Sequence, residues 1–344
     1  MTTRRMPLIR TMIEPQTRLV FSLGLTVATL LTIGCIMSGG SERVVFTSER
    51  DGNIEVYSVE ASGEDPQRLT NSVASESMPS WSPDRKQIAF LSDDDLGRHL
   101  WVMDAEGEAE RLAVSAEGNM VDFEWAPDSQ RIAYVATSDG TIDVWMVDLE
   151  RNELIRVTNG EGDEQLGGWS PNGEWVLYAV LDGPRQGVHR KNPRGVDEIQ
   201  LTEKPDLNPR WSPKGDMIAF MSQRDGQDLE IYVMDIAGQN ETNVTKKSGD
   251  DRDFDWSPDG RRLVFISDRD GNPEVYVTGI DGSDVQRLTR NTVEERSPRW
   301  SSDGRRIVFA SASDGDFDLF TMKRDGTDQR RITATDVLDE APNW

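Results

Sequence analysis

The residues with the clearest chemical potential are carboxylates that recur at two positions of a repeated pattern. The first position lies five residues before each of seven regularly spaced tryptophans, and Met120 is its one non-acidic copy. Its acidic copies are Glu76, Glu164, Asp206, Asp251, Glu295 and Asp339. The second position lies two residues before a recurring aromatic residue, with His99 and Gly187 as its non-acidic copies. Its acidic copies are Glu55, Asp143, Glu230, Glu274 and Asp318.

Two interpretations of these carboxylates stay open. Both positions fall at the start of a predicted strand that leaves the same face of the fold, so the side chains are expected to form two rings on that face. Such rings would attract a basic peptide or a cation. Alternatively, the carboxylates accept hydrogen bonds from neighbouring strands and turns. The candidate ligand-binding face consists of all eleven acidic residues.

Residues for catalysis are scarce. His99 and His189 are the only two histidines, and strand spacing places them roughly 25 Å apart, too far to share a metal ion. His189 occupies a position at which other repeats carry an aromatic residue, so it is predicted to fill an aromatic packing position. No Gly-x-Ser-x-Gly motif is present, which argues against a hydrolase of that type. We therefore predict no catalytic residues, while a carboxylate pair acting as a glycosidase stays open.

Two further segments invite a binding interpretation. The run Asp268-Arg-Asp-Gly-Asn272 resembles part of a calcium loop but lacks its full spacing and its late glutamate. It is predicted to be a turn, and calcium is the one cofactor considered. The second segment is a cluster of basic residues in an otherwise acidic chain. It is predicted to be either a solvated loop or a binding site for an acidic group. Its residues are Arg185, His189, Arg190, Lys191 and Arg194.

The elements that must position these residues follow from the tryptophan spacing. The tryptophans recur every 42 to 45 residues, a period typical of a repeat architecture. They are Trp81, Trp125, Trp169, Trp211, Trp256, Trp300 and Trp344. Most open a phrase such as Trp256-Ser-Pro-Asp-Gly260, whose proline, aspartate and glycine suit successive positions of a tight turn.

Each repeat predicts four short strands. After the turn comes a continuous apolar run such as Leu263-Val-Phe265, which is typical of a strand covered on both faces. A third strand carries an aromatic residue, as in Glu274-Val-Tyr276, and a fourth resembles Arg287-Leu-Thr289. Four strands in about 44 residues indicate one blade of a β-propeller.

The two ends of the array complete each other. The first repeat begins at Arg43 without a tryptophan strand, and the chain ends on that missing strand, Glu340-Ala-Pro-Asn-Trp344. Joining them leaves no open sheet edge. The sequence therefore predicts an all-β, seven-bladed propeller of four-stranded blades over residues 43–344, closed by its C-terminal strand.

These repeats resemble a known family. The pattern Arg-Leu-Thr, a spacer, Pro-x-Trp-Ser-Pro-Asp-Gly, Ile-Ala-Phe and Asp-Gly-x-x-x-(Ile/Val)-Tyr is similar to the TolB-type, WD40-like propeller repeat over about residues 43 to 344. The resemblance implies the propeller fold and leaves the function open, because this repeat serves unrelated roles. TolB itself looks like a six-bladed propeller that follows an N-terminal α/β domain. Here the blades begin at residue 43, so that domain is expected to be absent.

The N-terminal segment has the features of an export signal. Arg4, Arg5, Arg10 and Arg18 precede an apolar stretch, which Gly34-Cys35 follows. We expect residues 1–35 to be a lipoprotein signal with Cys35 as the lipidation site, and residues 36–42 to be a tether. An uncleaved membrane anchor and ordinary secretion stay open as alternatives.

Charge narrows the class of partner. Residues 1–35 carry four arginines and one glutamate, and removing them leaves 61 acidic and 34 basic residues, a formal net charge of −27. Such a surface repels nucleic acid and anionic lipid, so membrane contact is expected through the N-terminus alone. The predicted function is a non-enzymatic extracytoplasmic binding or scaffold propeller, membrane-anchored in the periplasm or at the cell surface, with a protein, peptide or glycan ligand. A carbohydrate-active lyase or hydrolase and a cation-dependent structural module are the alternatives.

Overall fold

The computed structural model describes residues 43–95, 97–115, 119–313 and 315–344, and these residues form seven four-stranded antiparallel sheets. The expected signal and tether, residues 1–42, lie outside the described residues, as does Cys35. The strands of the first half are β1 (Arg43–Ser48), β2 (Glu55–Glu60), β3 (Gln67–Arg68), β4 (Ser75–Trp81), β5 (Gln87–Asp94), β6 (Gly97–Asp104), β7 (Arg111–Val114), β8 (Met120–Trp125), β9 (Arg131–Ser138), β10 (Thr141–Asp148), β11 (Glu153–Arg156), β12 (Glu164–Trp169), β13 (Val176–Val180) and β14 (Gly187–Lys191).

The strands of the second half are β15 (Glu198–Gln200), β16 (Asp206–Trp211), β17 (Met217–Ser222), β18 (Glu230–Asp235), β19 (Thr242–Asn243), β20 (Asp251–Trp256), β21 (Arg262–Ser267), β22 (Glu274–Gly279), β23 (Gln286–Arg287), β24 (Glu295–Trp300), β25 (Arg306–Ser311), β26 (Asp318–Lys323), β27 (Arg330–Arg331) and β28 (Asp339–Asn343). Blade one is the sheet β28-β1-β2-β3, and blades two to seven each take four consecutive strands from β4 onward. The predicted all-β seven-bladed propeller is confirmed.

Closure by the chain termini is also confirmed. Strand β28 pairs antiparallel with β1, with Asn343 opposite Val45 and Asp339 opposite Ser48. The Thr47 hydroxyl donates to the Glu340 carbonyl at 3.2 Å, between residues at opposite ends of the array. The last strand therefore supplies the inner strand of a blade whose other three strands open the array.

The recurring phrase forms the turn that its residues predict. In blade six the Gly260 N–H donates to the Ser257 carbonyl at 2.8 Å, with Pro258 and Asp259 as the central residues. The Ser257 hydroxyl donates to Asp259 at 2.7 Å and accepts from the Arg262 N–H at 2.9 Å. Proline, an Asx acceptor and glycine therefore each serve the local geometry expected of them.

The apolar core lies between neighbouring blades. Trp169, for example, shares one buried cluster with Val144 of blade three and Tyr178 of blade four. The second strands are buried along most of their length, as in β13, because blades cover both of their faces. Burying apolar surface between blades is the main stabilising term in such a stack.

Every inner strand contains a bulge or register shift, which sequence patterns did not predict. In five blades, the residue three before the tryptophan adopts the left-handed conformation, with φ between 48° and 53°. Those residues are Met78, Asn208, Asp253, Ser297 and Ala341. A bulge of this kind re-aims the side chains next to it. In these blades, residues at both the bulge and the position before the tryptophan line the central channel.

Candidate functional site

The central channel is a cavity of about 610 Å³ to which all seven inner strands contribute. The residues just before the tryptophans form a polar ring around the channel. Blade four is the exception, because its ring member comes from an earlier position of the same strand. That ring consists of Ser80, Glu124, Gln165, Arg210, Asp255, Arg299 and Asn343. Asp122 and Asp253 add two more carboxylates to the wall. The channel is thus lined by groups of both charges, with acids in excess of bases.

The channel charges are coupled to one another. Arg210 Nη1 lies 3.3 Å from Glu124 Oε2, while Arg299 donates to the Pro298 carbonyl at 2.9 Å. Enclosure by the channel wall raises the pKa of Asp122, Glu124 and Asp255, against the opposing charges of the two arginines. The Glu124 side chain nevertheless keeps 43% of its surface accessible to water. A ligand entering the channel would therefore meet polar groups directly.

The predicted carboxylate face has a different geometry from the one expected. All six carboxylates of the inner-strand ring are buried, with 0–3% exposure, and the second ring is fully buried except for the half-buried Glu230. The sequence pattern placed both rings on an exposed face, whereas the structure places them inside the blades. Ligand binding at these positions stays a prediction. Their burial favours the alternative, in which they hold neighbouring strands and turns together.

The aspartates of the inner-strand ring pair with arginines. Asp339 contacts Arg50 at 3.1 Å and Asp251 contacts Arg269 at 2.9 Å, and Asp206 pairs in the same way with Arg224. In blades five and six the arginine comes 18 residues after its aspartate in the sequence. A short aspartate leaves room for a guanidinium, and the resulting hydrogen-bonded pair offsets the cost of burial.

The glutamates of the same ring face hydroxyl and amide groups instead. Glu76 accepts from Ser72 at 2.6 Å, Glu295 accepts from Asn291 at 2.5 Å, and Glu164 accepts from Thr158. The repeat position that holds the arginine in blades five and six is not arginine in these blades; it holds Asp94, Asp182 and Ser313. The inner-strand ring therefore has an aspartate in the blades that contain the arginine and a glutamate in the blades that lack it. This intrachain pattern was available in the sequence and would have identified the ring as an internal network.

The second ring follows a similar rule. An arginine of the fourth strand reaches the carboxylate in four blades, as in Glu55–Arg68 and Asp143–Arg156, both at 2.8 Å. The other two pairs are Glu274–Arg287 and Asp318–Arg331. Where His99 or Gly187 replaces the acid, the repeat position of the arginine holds Leu112 or Gln200. These carboxylates join the third strand of a blade to its fourth.

Glutamates without an arginine partner make stability depend on pH. Burial raises the pKa of Glu164 and Glu295 from 4.5 to about 7. Between those values the folded protein retains a proton that the unfolded chain has lost, so stability falls as pH rises through this window. We expect each group to cost about 2 kcal/mol between pH 5.5 and pH 8.

The measurement is the melting midpoint of wild type and of Glu164→Gln/Glu295→Gln at both pH values. The wild type should lose more stability between pH 5.5 and pH 8 than the double variant. Glu108→Gln, on an exposed turn, is the control and should behave as wild type. An equal pH dependence in wild type and double variant would contradict the assignment.

The basic segment of blade four is largely neutralised within the protein. Glu198 pairs with Arg185 and, at 3.1 Å, with Lys191. Arg194 reaches Asp148 and Glu153, both at 2.9 Å. A docking role for the whole segment stays a prediction. Arg190 differs from Arg185 and Arg194 because it has no carboxylate partner among the described residues.

The predicted packing role of His189 is confirmed. Its ring is buried and stacks on Tyr178 with centroids 5.4 Å apart, as Tyr232 stacks on Phe220 at 5.6 Å one blade later. Its Nε2 lies 2.7 Å from the Arg185 carbonyl. Burial lowers its pKa. His99 is buried in blade two, near Asp94.

The Asp268–Asn272 run forms the predicted turn. Gly271 N–H donates to the Asp268 carbonyl at 2.8 Å, and the Tyr276 hydroxyl donates to Asp270 at 2.6 Å. Across the described ranges, no group of three or more histidine, cysteine, aspartate or glutamate side chains is placed to hold a metal ion. Calcium binding at this run stays an untested alternative. Nor does the described part of the chain contain a helix that could span a bilayer.

Comparisons with solved structures return the same architecture. TolB from Acinetobacter baumannii superposes with a TM-score of 0.61 at 20% identity, covering 88% of this chain and 66% of that one, so this chain spans just under two thirds of its length. The β-propeller domain of the Trilobed protease from Pyrococcus furiosus gives 0.67 at 16% identity, covering 86% and 95%. Oligogalacturonate lyase from Vibrio parahaemolyticus gives 0.61 at 12% identity, covering 85% of each chain. At these identities the likeness shows the fold alone.

The fold does not determine the function, because the same propeller architecture occurs in TolB, in a protease and in a lyase. A search of curated proteins finds no match to the sequence. The model of the TolB β-propeller domain family, in contrast, matches residues 30–206 and 196–344. The two matches together span the whole propeller, and the chain belongs to the TolB β-propeller domain family.

Proposed function

We propose that this protein is a non-enzymatic binding or scaffold propeller, held outside the cytoplasmic membrane, that receives a basic segment of a partner protein at its central channel. The observation that carries the proposal is the channel wall. It combines the carboxylates of Asp122, Glu124, Asp253 and Asp255 with only two arginines. A narrow cleft with an excess of one charge concentrates its field and attracts the opposite charge.

In this proposal the channel, and not the two buried rings, is the acidic surface that binds the ligand. Its wall offers amides from Gln165, Asn208 and Asn343 beside the charges. Such groups can bind the backbone of an extended segment, while the carboxylates select lysine or arginine side chains. The bulges matter to this role, because they turn Asn208 and Asp253 toward the channel rather than into a blade.

Location outside the cytoplasm is supported by the N-terminal sequence. Arginines, an apolar segment and Gly34-Cys35 stand in the order of an export signal with a lipid attachment site. A lipid anchor at Cys35 would hold the propeller at a membrane surface, and the formal charge of −27 after residue 35 would keep its body off anionic lipid.

A carbohydrate-active enzyme is the second candidate. The observation that favours it is the raised pKa of Glu124 and Asp255 in one cavity, because a general acid must hold its proton near neutral pH. The likeness to a lyase adds a precedent for carbohydrate chemistry on this fold. Turnover of a glycan by the wild type, lost in Glu124→Gln, would select this function over binding.

Neutralising the channel is expected to weaken binding of a basic peptide. The probe is a fluorescent hexalysine peptide, titrated against full-length protein at physiological salt and read by anisotropy. Glu124→Gln/Asp255→Asn should raise Kd at least about 10-fold, because two charges that face the channel are removed. Each substitution is nearly isosteric, and the melting midpoint reports whether the fold persists.

The matched control is Glu106→Gln/Glu108→Gln, which removes the same net charge from an exposed turn of blade two. Its Kd should stay within about 2-fold of wild type, because long-range attraction alone is screened by salt. If both double variants weaken the peptide equally, attraction is a property of the whole acidic surface, and the channel is not the site.

A further inference from the structure

A second, smaller pocket lies between blades four and five, at the end of the propeller where the tryptophan turns lie. Its volume is about 140 Å³. The wall includes Asn172, Trp175, Arg190, Trp211, Lys214 and Ile236. The inner strands lead from their tryptophans directly into these turns, whereas both carboxylate rings belong to strand ends at the opposite face. The pocket is thus separate from the candidate carboxylate face.

Blades three and four differ at the residue six after the tryptophan. In blade three the residue six after the tryptophan is Arg131, whose guanidinium covers the ring of Trp169 at 4.6 Å and pairs with Asp128 at 2.6 Å. In blade four the equivalent residue is Trp175. Trp211, the next tryptophan in the ring, is partly exposed, whereas Trp169 is 6% exposed. Trp175 and the partly exposed Trp211 both line the pocket and present indole surface to it.

Arg190 supplies an uncompensated positive charge. Its guanidinium stacks over Trp175 at 4.8 Å. Its Nε is buried and has no acceptor among the described residues, and none of their carboxylates lies within ion-pair distance. Burial lowers the pKa of this guanidinium. Arg185 and Arg194 of the same blade each have a glutamate partner. A buried donor without an acceptor is costly, so a ligand that supplies one gains affinity.

The pocket also contains a second cation. The exposed Lys214 lines the pocket. The Asn172 amide oxygen already accepts from Ser170 at 2.7 Å, and its amide nitrogen donates to Glu174 at 2.9 Å. The pocket therefore combines the cations of Arg190 and Lys214 with the aromatic surfaces of Trp175 and Trp211.

We propose that this pocket binds a small carboxylate carried on a six-membered ring, of the class of benzoate. The carboxylate would accept two hydrogen bonds from the planar guanidinium of Arg190, a geometry that arginine favours. The ring would lie against the indole faces, where aromatic contacts add to the burial of apolar area. The volume suits a single ring, since a cavity of roughly 150 Å³ is known to admit benzene.

The test is calorimetric titration of the full-length protein with benzoate, benzamide and acetate. Benzamide keeps the ring without the charge, and acetate keeps the charge without the ring. Benzoate is expected to bind at least about 10-fold more tightly than either. Absence of benzoate binding overturns the proposal. So does a benzamide or an acetate affinity equal to that of benzoate, because the site would then not need both features.

Variants locate the site. Arg190→Gln should weaken benzoate at least about 10-fold, while Arg131→Gln, which also removes an arginine stacked on tryptophan, should leave it unchanged. Benzoate binding that is unaffected by Arg190→Gln places the ligand elsewhere and overturns the proposal. If Arg190→Gln does not fold, Lys214→Gln decides. Its side chain is exposed, and a Kd raised about 3-fold supports the pocket, whereas an unchanged Kd overturns it.

Discussion

Deleting residues 340–344 should lower the melting midpoint by roughly 10 °C or more, or prevent folding altogether. The deletion removes most of β28 and therefore the inner strand of blade one. Trp344 is partly buried against a cluster that contains Val44 and Phe46, and truncating a tryptophan costs up to about 3–5 kcal/mol when the side chain is fully buried. The ladder to β1 is lost as well, so the total exceeds about 5 kcal/mol, which shifts the midpoint of a domain of this size by the stated amount.

The deletion also opens the ring. Without β28, strand β1 has an unpaired edge, and the gap exposes an apolar face of blade seven. Aggregation during unfolding should therefore accompany the lower midpoint. The measurement is thermal unfolding followed by circular dichroism, with light scattering on the same sample. Val73→Ala, at a fully exposed side chain, is the control. A truncated protein that melts at the wild-type temperature would show that the termini do not close the fold.

The second large effect is expected at a buried ion pair. Asp206→Asn should destabilise the protein by about 3–5 kcal/mol, because it removes one of the two carboxylates that pair with the buried Arg224. The Arg224 guanidinium is only 5% exposed and stacks on Phe220 and Tyr232, each at 4.9 Å. It cannot reach bulk water without disrupting that stack. Its contact with Glu241 remains, which is why the upper end of the range is not exceeded.

The matched substitution is Glu295→Gln, at the same repeat position in a blade without the arginine. Glu295 accepts hydrogen bonds from Asn291 and Ser311, and a neutral amide can retain them. We expect no loss of stability near pH 7, because the neutral amide also avoids the cost of ionising a buried carboxyl whose pKa is raised to about 7. Urea unfolding of both variants gives the comparison directly. Equal losses at the two positions would mean that burial of the side chain, and not the arginine partner, sets the cost.

The positions of the strands were predictable from the sequence because they depend on local patterns. The Trp-Ser-Pro-Asp-Gly phrase produces its turn through residues adjacent in the chain, and the apolar runs need only to be covered on both sides. His189 was correctly placed in an aromatic position because register within a blade follows directly from repeat spacing. Closure followed from counting strands at the two ends.

The accessible surface was not predictable in the same way. Whether Glu76 or Asp251 faces solvent depends on arginines, hydroxyls and turns that approach from other strands, although the arginine spacing carried a signal that was missed. The channel wall depends on bulges at residues such as Asn208 and Asp253, whose left-handed backbone no repeat pattern marked.

The sequence by itself determined the number of blades, the order of their strands and the way the ring closes, because each follows from short-range periodicity repeated seven times. Only the tertiary structure decided which charged residues are available to a ligand. Solvent exposure depends on how the strands pack together. A carboxylate at a repeated position either makes buried contacts between strands or lines the channel, depending on which side chains the neighbouring strands place beside it. Arg190 is a second case, because its stacking on Trp175 and its lack of a carboxylate partner among the described residues depend on which side chains the fold places around it.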